Sequence, residues 1–265
     1  RFCTPTCQTM NKHKIIKYII SKLLFILVFP NCYAQHMVPF HEDTLWGYKN
    51  NQGAVIIKPQ FQYASKFKVG VAIVGKNNKL GAIDKNNNLL IPFHYEFLSP
   101  LEAGEFLFGQ RAKYFGEYIM GVMTSDEKVK IPAEYNNISK YQNTYLVTKH
   151  IDSIIGKGNI GDVRSVQSLY GLFDSNGKVL IPCQYDYISW INDSLLVVTK
   201  DDSGKNKALF TKKGEQLTGF KYMVFGQFIE GVAKVRIGDK YGFMYPTGKI
   251  AVPIKFDYCE DFFNG

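Results

Sequence analysis

The chain contains six segments with one shared internal spacing, and this repetition constrains its fold more than any other feature. Five of the six starting residues are apolar and are followed directly by Gly, and an aromatic residue lies fifteen positions after every start. The starts are Trp46, Leu80, Met120, Tyr170, Lys207 and Tyr241, and the aromatics are Phe61, Tyr95, Tyr135, Tyr185, Tyr222 and Phe256. Such register predicts tandem repeats that share one continuous core.

Other residues at fixed distances from each start predict three antiparallel strands in each module. A turn residue lies seven positions after each start, in most cases Gly or Asn, which tolerate the positive φ of a hairpin turn. Large side chains that we expect to point inward lie twenty-one positions after each start. They are Phe67, Leu101, Tyr141, Ile191, Phe228 and Phe262. The Gly after each start permits close approach of a neighbouring backbone. We therefore predict an all-β fold of stacked modules in a curved array, with little helix.

The segment that starts with Trp46-Gly47 and continues to Pro59-Gln60-Phe61 resembles the WG-containing repeat family. The stretches 170–182 and 241–244 look like further copies, and the resemblance covers roughly residues 45–265. It implies a repeat architecture with secretion or surface roles in bacteria, and it implies no catalytic residues.

Two modules depart from this pattern, and we expect them to be strained or differently twisted. The fifth has Lys207-Ala208 at its start and lacks the proline before its aromatic, whereas the third has Asp126-Glu127 at the turn.

The sixth module is incomplete in this sequence, since its third strand is missing. Residues 35–45 are expected to be a linker or a first strand, because 37–40 precede Trp46 as 232–235 precede Tyr241. One alternative to an open array is a closed, propeller-like ring in which this amino-terminal strand completes the sixth module.

The amino end, residues 1–34, is predicted to be a leader, with residues 1–9 before Met10 untranslated. Basic residues precede the apolar run 23–29, and Cys32-Tyr33-Ala34 is suited to signal-peptidase cleavage after Ala34. A retained anchor and lipid attachment at Cys32 are the alternatives. The apolar run is shorter than the roughly 20 residues that span a bilayer, so we expect membrane contact only through this export signal.

The net charge of +9 does not predict a nucleic-acid partner. Five of the 32 basic residues and none of the 23 acidic residues lie in the leader, so the rest of the chain carries only +4. These charges are interspersed, whereas nucleic-acid binding requires a basic stripe.

No residue pattern predicts catalysis, a metal site or a cofactor. The stretch 156–161 has the spacing G-x-G-x-x-G, but no helix is expected after it, so a flexible loop is the better interpretation. The recurring carboxylates Asp84, Asp174, Asp186 and Asp257 are expected to cap turns, since a reaction needs one site and not one in every module. Cys183 and Cys259 are expected to be separate thiols.

We therefore expect an exported, non-catalytic module that binds an unknown protein or glycan. A structural spacer and an enzyme on a β-repeat scaffold are the alternatives. Two insertions, 110–118 and 149–167, are either binding loops or tolerated surface loops. Trp190 is the one residue predicted to contact a ligand, because exposed aromatics can stack on sugars.

Overall fold

The structure is a computed structural model that describes residues 36–102, 104–112, 117–158, 161–201 and 203–260. All regular secondary structure in these ranges is β, which confirms the predicted all-β class, and no helix in them is long and apolar enough to span a membrane. The leader and the cleavage position at Ala34 lie outside the described residues.

The described strands form six antiparallel sheets of three or four strands, in which chain neighbours pair in sequence order. The first sheet contains β1 Val38–Glu42, β2 Leu45–Lys49 and β3 Val55–Phe61. The second contains β4 Tyr63–Ala64, β5 Val71–Lys76, β6 Lys79–Asp84 and β7 Leu89–Tyr95. The third contains β8 Phe97–Glu102, β9 Glu105–Arg111, β10 Tyr118–Thr124 and β11 Val129–Tyr135.

The remaining three sheets follow the same order. The fourth contains β12 Asn137–Tyr141, β13 Thr144–Gly158, β14 Gly161–Asp174 and β15 Val179–Tyr185. The fifth contains β16 Tyr187–Trp190, β17 Leu195–Thr199 and β18 Lys207–Thr211, and the sixth contains β19 Val224–Ile229, β20 Val232–Ile237, β21 Lys240–Met244 and β22 Ile250–Phe256. Each module start therefore lies inside a sheet, in the strand before the hairpin turn.

The fifteen-residue spacing of the sequence is a cross-strand pair in five sheets and an isolated bridge beside the fifth. Trp46 pairs with Phe61, and the same relation holds for 80 with 95, 120 with 135, 170 with 185, 207 with 222 and 241 with 256. The spacing is invariant because the hairpin between the two partners has a constant length and a constant bulge.

The Gly after the start is required by that bulge. A Cβ on Gly81 would lie 2.7 Å from the carbonyl oxygen of Ile91, and a Cβ on Gly242 would lie 2.6 Å from that of Val252. The prediction of close backbone approach is confirmed. The turn residue seven positions after each start has positive φ in all six modules, including Asn87 at 65° and Glu127 at 60°.

The fifth module shows what happens without this Gly. Ala208 has a Cβ in the crowded position, and β18 has only isolated bridges on that side, between Lys207 and Tyr222 and between Phe210 and Gln216. The hydroxyl of Thr218 accepts the backbone N–H of Leu209 at 2.9 Å and replaces a ladder bond. The fifth module was expected to depart from the repeat pattern, and the departure is the loss of the fourth strand of its sheet.

Five hydrophobic clusters lie between consecutive sheets, so the core is shared across module boundaries as predicted. The cluster between the first two sheets contains Tyr48, Ile57 and Phe61 from one side and Val74 and Ile83 from the other. The other four join sheets two to three, three to four, four to five and five to six. Each sheet is thus stabilised mainly by its neighbours.

The hypothesis that the amino-terminal strand completes the sixth module stays a prediction, since residues 261–265 lie outside the described residues. β1 pairs with β2 in the first sheet, where it is equivalent to β20 beside β21, and the four strands of the sixth sheet are β19 to β22. No hydrophobic cluster among the described residues joins the sixth sheet to the first.

The aromatic residues fifteen positions after the starts were predicted to be buried, and this prediction is wrong for the last of them, Phe256. Phe256 is 40% exposed, whereas Phe61 is only 4% exposed. The difference arises because the next sheet covers Phe61, and no described residue forms a further sheet over Phe256.

Candidate functional site

Trp190, the residue predicted to contact a ligand, lies at the end of β16, where the fourth and fifth sheets meet. Its ring packs against Tyr141 from β12, with centroids 4.9 Å apart and planes inclined by 44°. One side of Trp190 also packs on the cluster between these two sheets, so its indole is half-buried.

Tyr141 corrects a prediction, because its position was expected to point into the core. The equivalent Phe67, Leu101, Ile191 and Phe228 pack on hydrophobic clusters, whereas Tyr141 is 43% exposed. Its ring lies over Trp190 at the surface. This exposure could not be predicted, since Tyr141 lies twenty-one positions after its start, as the core residues of the other modules do.

Two polar side chains converge on the same place. The hydroxyl of Tyr141 donates a hydrogen bond to Oδ1 of Asp193 at 3.0 Å, and the amide of Gln142 donates to the same oxygen at 3.1 Å. The hydrogen bond to Asp193 raises the pKa of Tyr141. Two aromatic rings, a carboxylate and an amide therefore form one surface cluster, which we call the aromatic site.

The insertion 149–167 is not a loop but a two-stranded β-ribbon. β13 and β14 pair continuously from Thr144 with Asp174 to Gly158 with Gly161, with one bulge near Ile155. The interpretation of 156–161 as a flexible loop is therefore wrong for residues 156–158 and 161, which are paired in the ribbon. The dinucleotide motif lacks its following helix, because β14 starts at Gly161.

The ribbon carries exposed apolar side chains on both strands. Ile154 is 57% exposed and Val166 is 59% exposed. Ile151, Ile155 and Val163 are exposed as well. This surface is unusual for a solvated hairpin, since isolated apolar residues are common at surfaces but clusters of them indicate interaction sites.

Both edges of the ribbon extend beyond the strands that flank its base. β12 pairs with β13 only as far as Thr148, and β15 pairs with β14 only as far as Tyr170. Beside the β13 edge, the backbone N–H of His150 donates to Oδ1 of Asn136 at 2.8 Å. The ribbon between His150 and Leu169 thus presents two strand edges without a strand neighbour among the described residues.

A buried ionic cluster joins the third and fourth sheets at Glu105. The ammonium groups of Lys130 and Lys140 and the hydroxyl of Tyr145 donate to its carboxylate, with 2.7 Å to Lys140 and 2.8 Å to Tyr145. Desolvation by burial acts to raise the pKa of Glu105, but the donated hydrogen bonds lower it below its usual range. Burial and the bond to Glu105 raise the pKa of Tyr145 to about 12.

This cluster is neutral and fully connected, so its chemistry fits a structural contact. Glu102 also accepts from Lys140, at 2.7 Å, and Lys130 donates to the carbonyl of Ser175 in the fourth sheet at 3.0 Å. Groups that are paired and inaccessible in this way have no room for a substrate.

The turn of the third module, where Glu127 replaces Gly, contacts the second sheet. Oε1 of Glu127 accepts from the hydroxyl of Tyr95 at 2.6 Å and lies 2.9 Å from Nε2 of His94. Desolvation and this hydrogen bond raise the pKa of Tyr95 above its usual range. The departure from Gly at this turn therefore adds a polar link between neighbouring modules.

Asp84 and Asp174 cap turns as expected, whereas Asp186 and Asp257 contact side chains instead. Oδ1 of Asp84 accepts the backbone N–H groups of Asn86 and Asn88, and Asp174 does the same for Asn176 and Lys178. The second set of recurring carboxylates contacts side chains near the following or preceding hairpins. Glu96 and Asp257 pair with Lys79 and Lys240, and Asp186 accepts from Gln167.

The other candidate groups do not come together. Cys183 and Cys259 are both unpaired, and the thiol of Cys183 donates to the carbonyl of Leu169 at 3.2 Å. Within the described ranges, no group of three or more His, Cys, Asp or Glu residues is arranged to hold a metal ion.

The fixed residue spacings, the glycine contacts and the shared cores agree with one family of repeats. The sequence pattern of the WG containing repeat matches at 46–79, 81–108, 170–203, 209–241 and 241–265, which is more than half of the chain. The chain belongs to the WG containing repeat family. Residues 109–169, between the second and third matches, lie outside the matched ranges and include the Glu127 turn and part of the ribbon.

Comparison with other proteins adds little to this assignment. A search of the curated proteins found no match. Among solved structures, the N-terminal domain of Nup159 is 8% identical, with 84% of this chain and 74% of that chain covered and a TM-score of 0.32. The AfRom2 CNH domain is 11% identical, with coverages of 81% and 79% and a TM-score of 0.28.

A third structure, titled as a eukaryotic initiation factor, is 8% identical, with coverages of 80% and 72% and a TM-score of 0.26. Similarities at this level establish neither a common fold nor a common function.

Proposed function

We propose that this WG-repeat protein is an exported, non-catalytic binding module at the cell envelope, with a protein or a glycan as its partner. The observation that carries the proposal is the β-ribbon formed by β13 and β14. The sheets also expose apolar side chains, such as Leu89 and Val179, but the ribbon exposes five along one hairpin: Ile151, Ile154, Ile155, Val163 and Val166.

The ribbon suits a protein partner that adds a strand to one of its edges. Beyond Thr148 and Tyr170, the edge backbone groups of the ribbon have no flanking strand. An extended segment of another protein pairs with such an edge through main-chain hydrogen bonds, and side-chain pockets give the pairing its specificity. Ile154 and Val166, one on each strand, supply apolar contacts beside the edges.

Export supports the same function. The basic and apolar segment before Ala34 and the absence of a basic stripe favour an extracytoplasmic partner over a nucleic acid. Contact with the membrane is limited to the export signal in this proposal. No cofactor is required.

Site-specific photo-crosslinking tests the proposal. A photoreactive residue is placed at Ile154 or at Val166, with matched controls at Leu89 and Val179, which are 52% and 49% exposed on other sheets. The protein is then irradiated in the envelope fraction of cells that express it. We expect one discrete adduct from the two ribbon positions and none from the controls.

A shortened ribbon provides the second arm of the test. Residues 152–166 are replaced by an asparagine–glycine turn that joins Ile151 to Gln167, which already face each other. This variant keeps all four strands of the fourth sheet and should lose the adduct.

Equal labelling at ribbon and control positions would contradict the binding function and favour a structural spacer without a discrete ligand. The second alternative, an enzyme on the repeat scaffold, predicts turnover that depends on the recurring carboxylates rather than on the ribbon.

A further inference from the structure

Two aromatic residues, one from the fourth sheet and one from the fifth, depart from the repeat pattern and contact each other at the surface. Tyr141 occupies a position that is core in four other modules, yet it is exposed. Trp190 occupies a position where the first three modules have Lys66, Pro100 and Lys140. Packing of the repeat therefore explains neither an exposed Tyr nor a Trp here, although their rings are in contact.

We propose that the aromatic site of Tyr141, Trp190, Gln142 and Asp193 binds a neutral sugar residue of a glycan. The inference rests on the proposed binding function and assigns a ligand to a site that shares no residue with the ribbon. The apolar face of a pyranose ring packs on the exposed ring of Tyr141 and on the edge of Trp190. A few convergent polar groups beside an apolar platform then fix the orientation of the ligand.

The polar groups select the kind of sugar. The carboxylate of Asp193 accepts hydrogen bonds and donates none, so it suits the hydroxyl groups of a sugar. It also repels uronic acids, sialic acids and phosphosugars. The ammonium of Lys140, the residue before Tyr141, does not offset this charge, because it is bound to Glu102 and Glu105.

Tryptophan fluorescence provides a direct readout, since the chain contains only two tryptophans. In a Trp46→Phe background, Trp190 is the sole reporter. The full chain is titrated with neutral oligosaccharides of glucose, mannose, galactose, xylose and N-acetylglucosamine, and with polygalacturonate as the acidic control. Isothermal titration calorimetry with Trp46 retained checks the affinities.

We expect saturable binding of at least one neutral oligosaccharide and none of polygalacturonate. Tyr141→Ala and Asp193→Asn should each weaken binding about ten-fold, as the loss of an aromatic contact or of a charge-assisted hydrogen bond implies. The matched control is Tyr63→Ala, which removes a ring that is 50% exposed on the second sheet and should bind normally.

The inference is overturned if no neutral oligosaccharide binds, if polygalacturonate binds equally well, or if Tyr141→Ala binds like the control. Such results leave the ribbon crosslinks unaffected, because the two sites are separate. Conversely, loss of the ribbon adduct in the shortened variant with normal sugar binding would show that the two activities are independent.

Discussion

Replacing Gly121 with alanine tests whether the glycine of the repeat is a steric requirement. Met120 pairs with Tyr135 and Val122 with Ile131, so the intervening residues of β11 bulge over Gly121. A Cβ there would lie 2.7 Å from the carbonyl carbon of Pro132 and 2.8 Å from the nitrogen of Ala133, below the 3.0 Å that real Cβ atoms respect.

Relief of these contacts requires β11, an edge strand of the third sheet, to separate from β10. Overpacking of this kind costs about 3 kcal/mol, which for a chain of this size lowers Tm by roughly 6–12 °C. Thermal unfolding followed by circular dichroism and urea unfolding followed by tryptophan fluorescence measure the two quantities.

Substitutions at two other glycines distinguish the cost of steric crowding from the cost of a positive φ. Gly219 has no atom within 4 Å of an added Cβ and no positive φ, so Gly219→Ala should change stability by less than about 0.5 kcal/mol. Gly53 has a φ of 85° and open space around it, so Gly53→Ala should cost about 1–2 kcal/mol. If Gly121→Ala costs no more than Gly53→Ala, the steric reasoning is refuted.

Three other predictions concern the ionic cluster, the leader and the thiol. Glu105→Gln leaves Lys130 and Lys140 without their buried partner and should destabilise the fold by about 3–5 kcal/mol, measured by urea unfolding at neutral pH. Because folding lowers the pKa of Glu105, its stabilisation is present above the unfolded pKa and is lost as pH falls through the folded one. The wild type should therefore lose more stability than Glu105→Gln on acidification below about pH 4.5, and equal losses would contradict this. Protein recovered from the envelope should start directly after Ala34 by intact mass, and an uncleaved chain would contradict the export proposal. Burial raises the pKa of the Cys183 thiol, so a thiol reagent should label it much more slowly in the folded protein than in urea.

Much of the fold could be predicted because its determinants are local. The pairing of each start with the aromatic fifteen residues later depends on one hairpin, and so do the positive φ at the turn and the Gly under the bulge. The departure at Ala208 was visible for the same reason, although only the structure showed that Thr218 replaces the missing ladder bond.

The candidate sites could be predicted only in part. Trp190 was recognised as unusual, but its partner Tyr141 was not, because Tyr141 reaches Trp190 and Asp193 across the boundary between two sheets. The ribbon was recognised as an insertion but was mistaken for a loop. Its two strands pair with each other and carry apolar residues on both faces, so the alternation that identifies a half-buried strand is absent.

The amino-acid sequence alone determined the repeat, its turns and its strand pairs, because each of these depends on residues within one hairpin of about fifteen positions. Tertiary structure alone decided which side chains meet between sheets. Glu105 and Lys140 are one such pair, and Tyr141 and Trp190 are another. These contacts depend on how neighbouring sheets pack, and a pattern that is read within one module contains no information about the distance to the next.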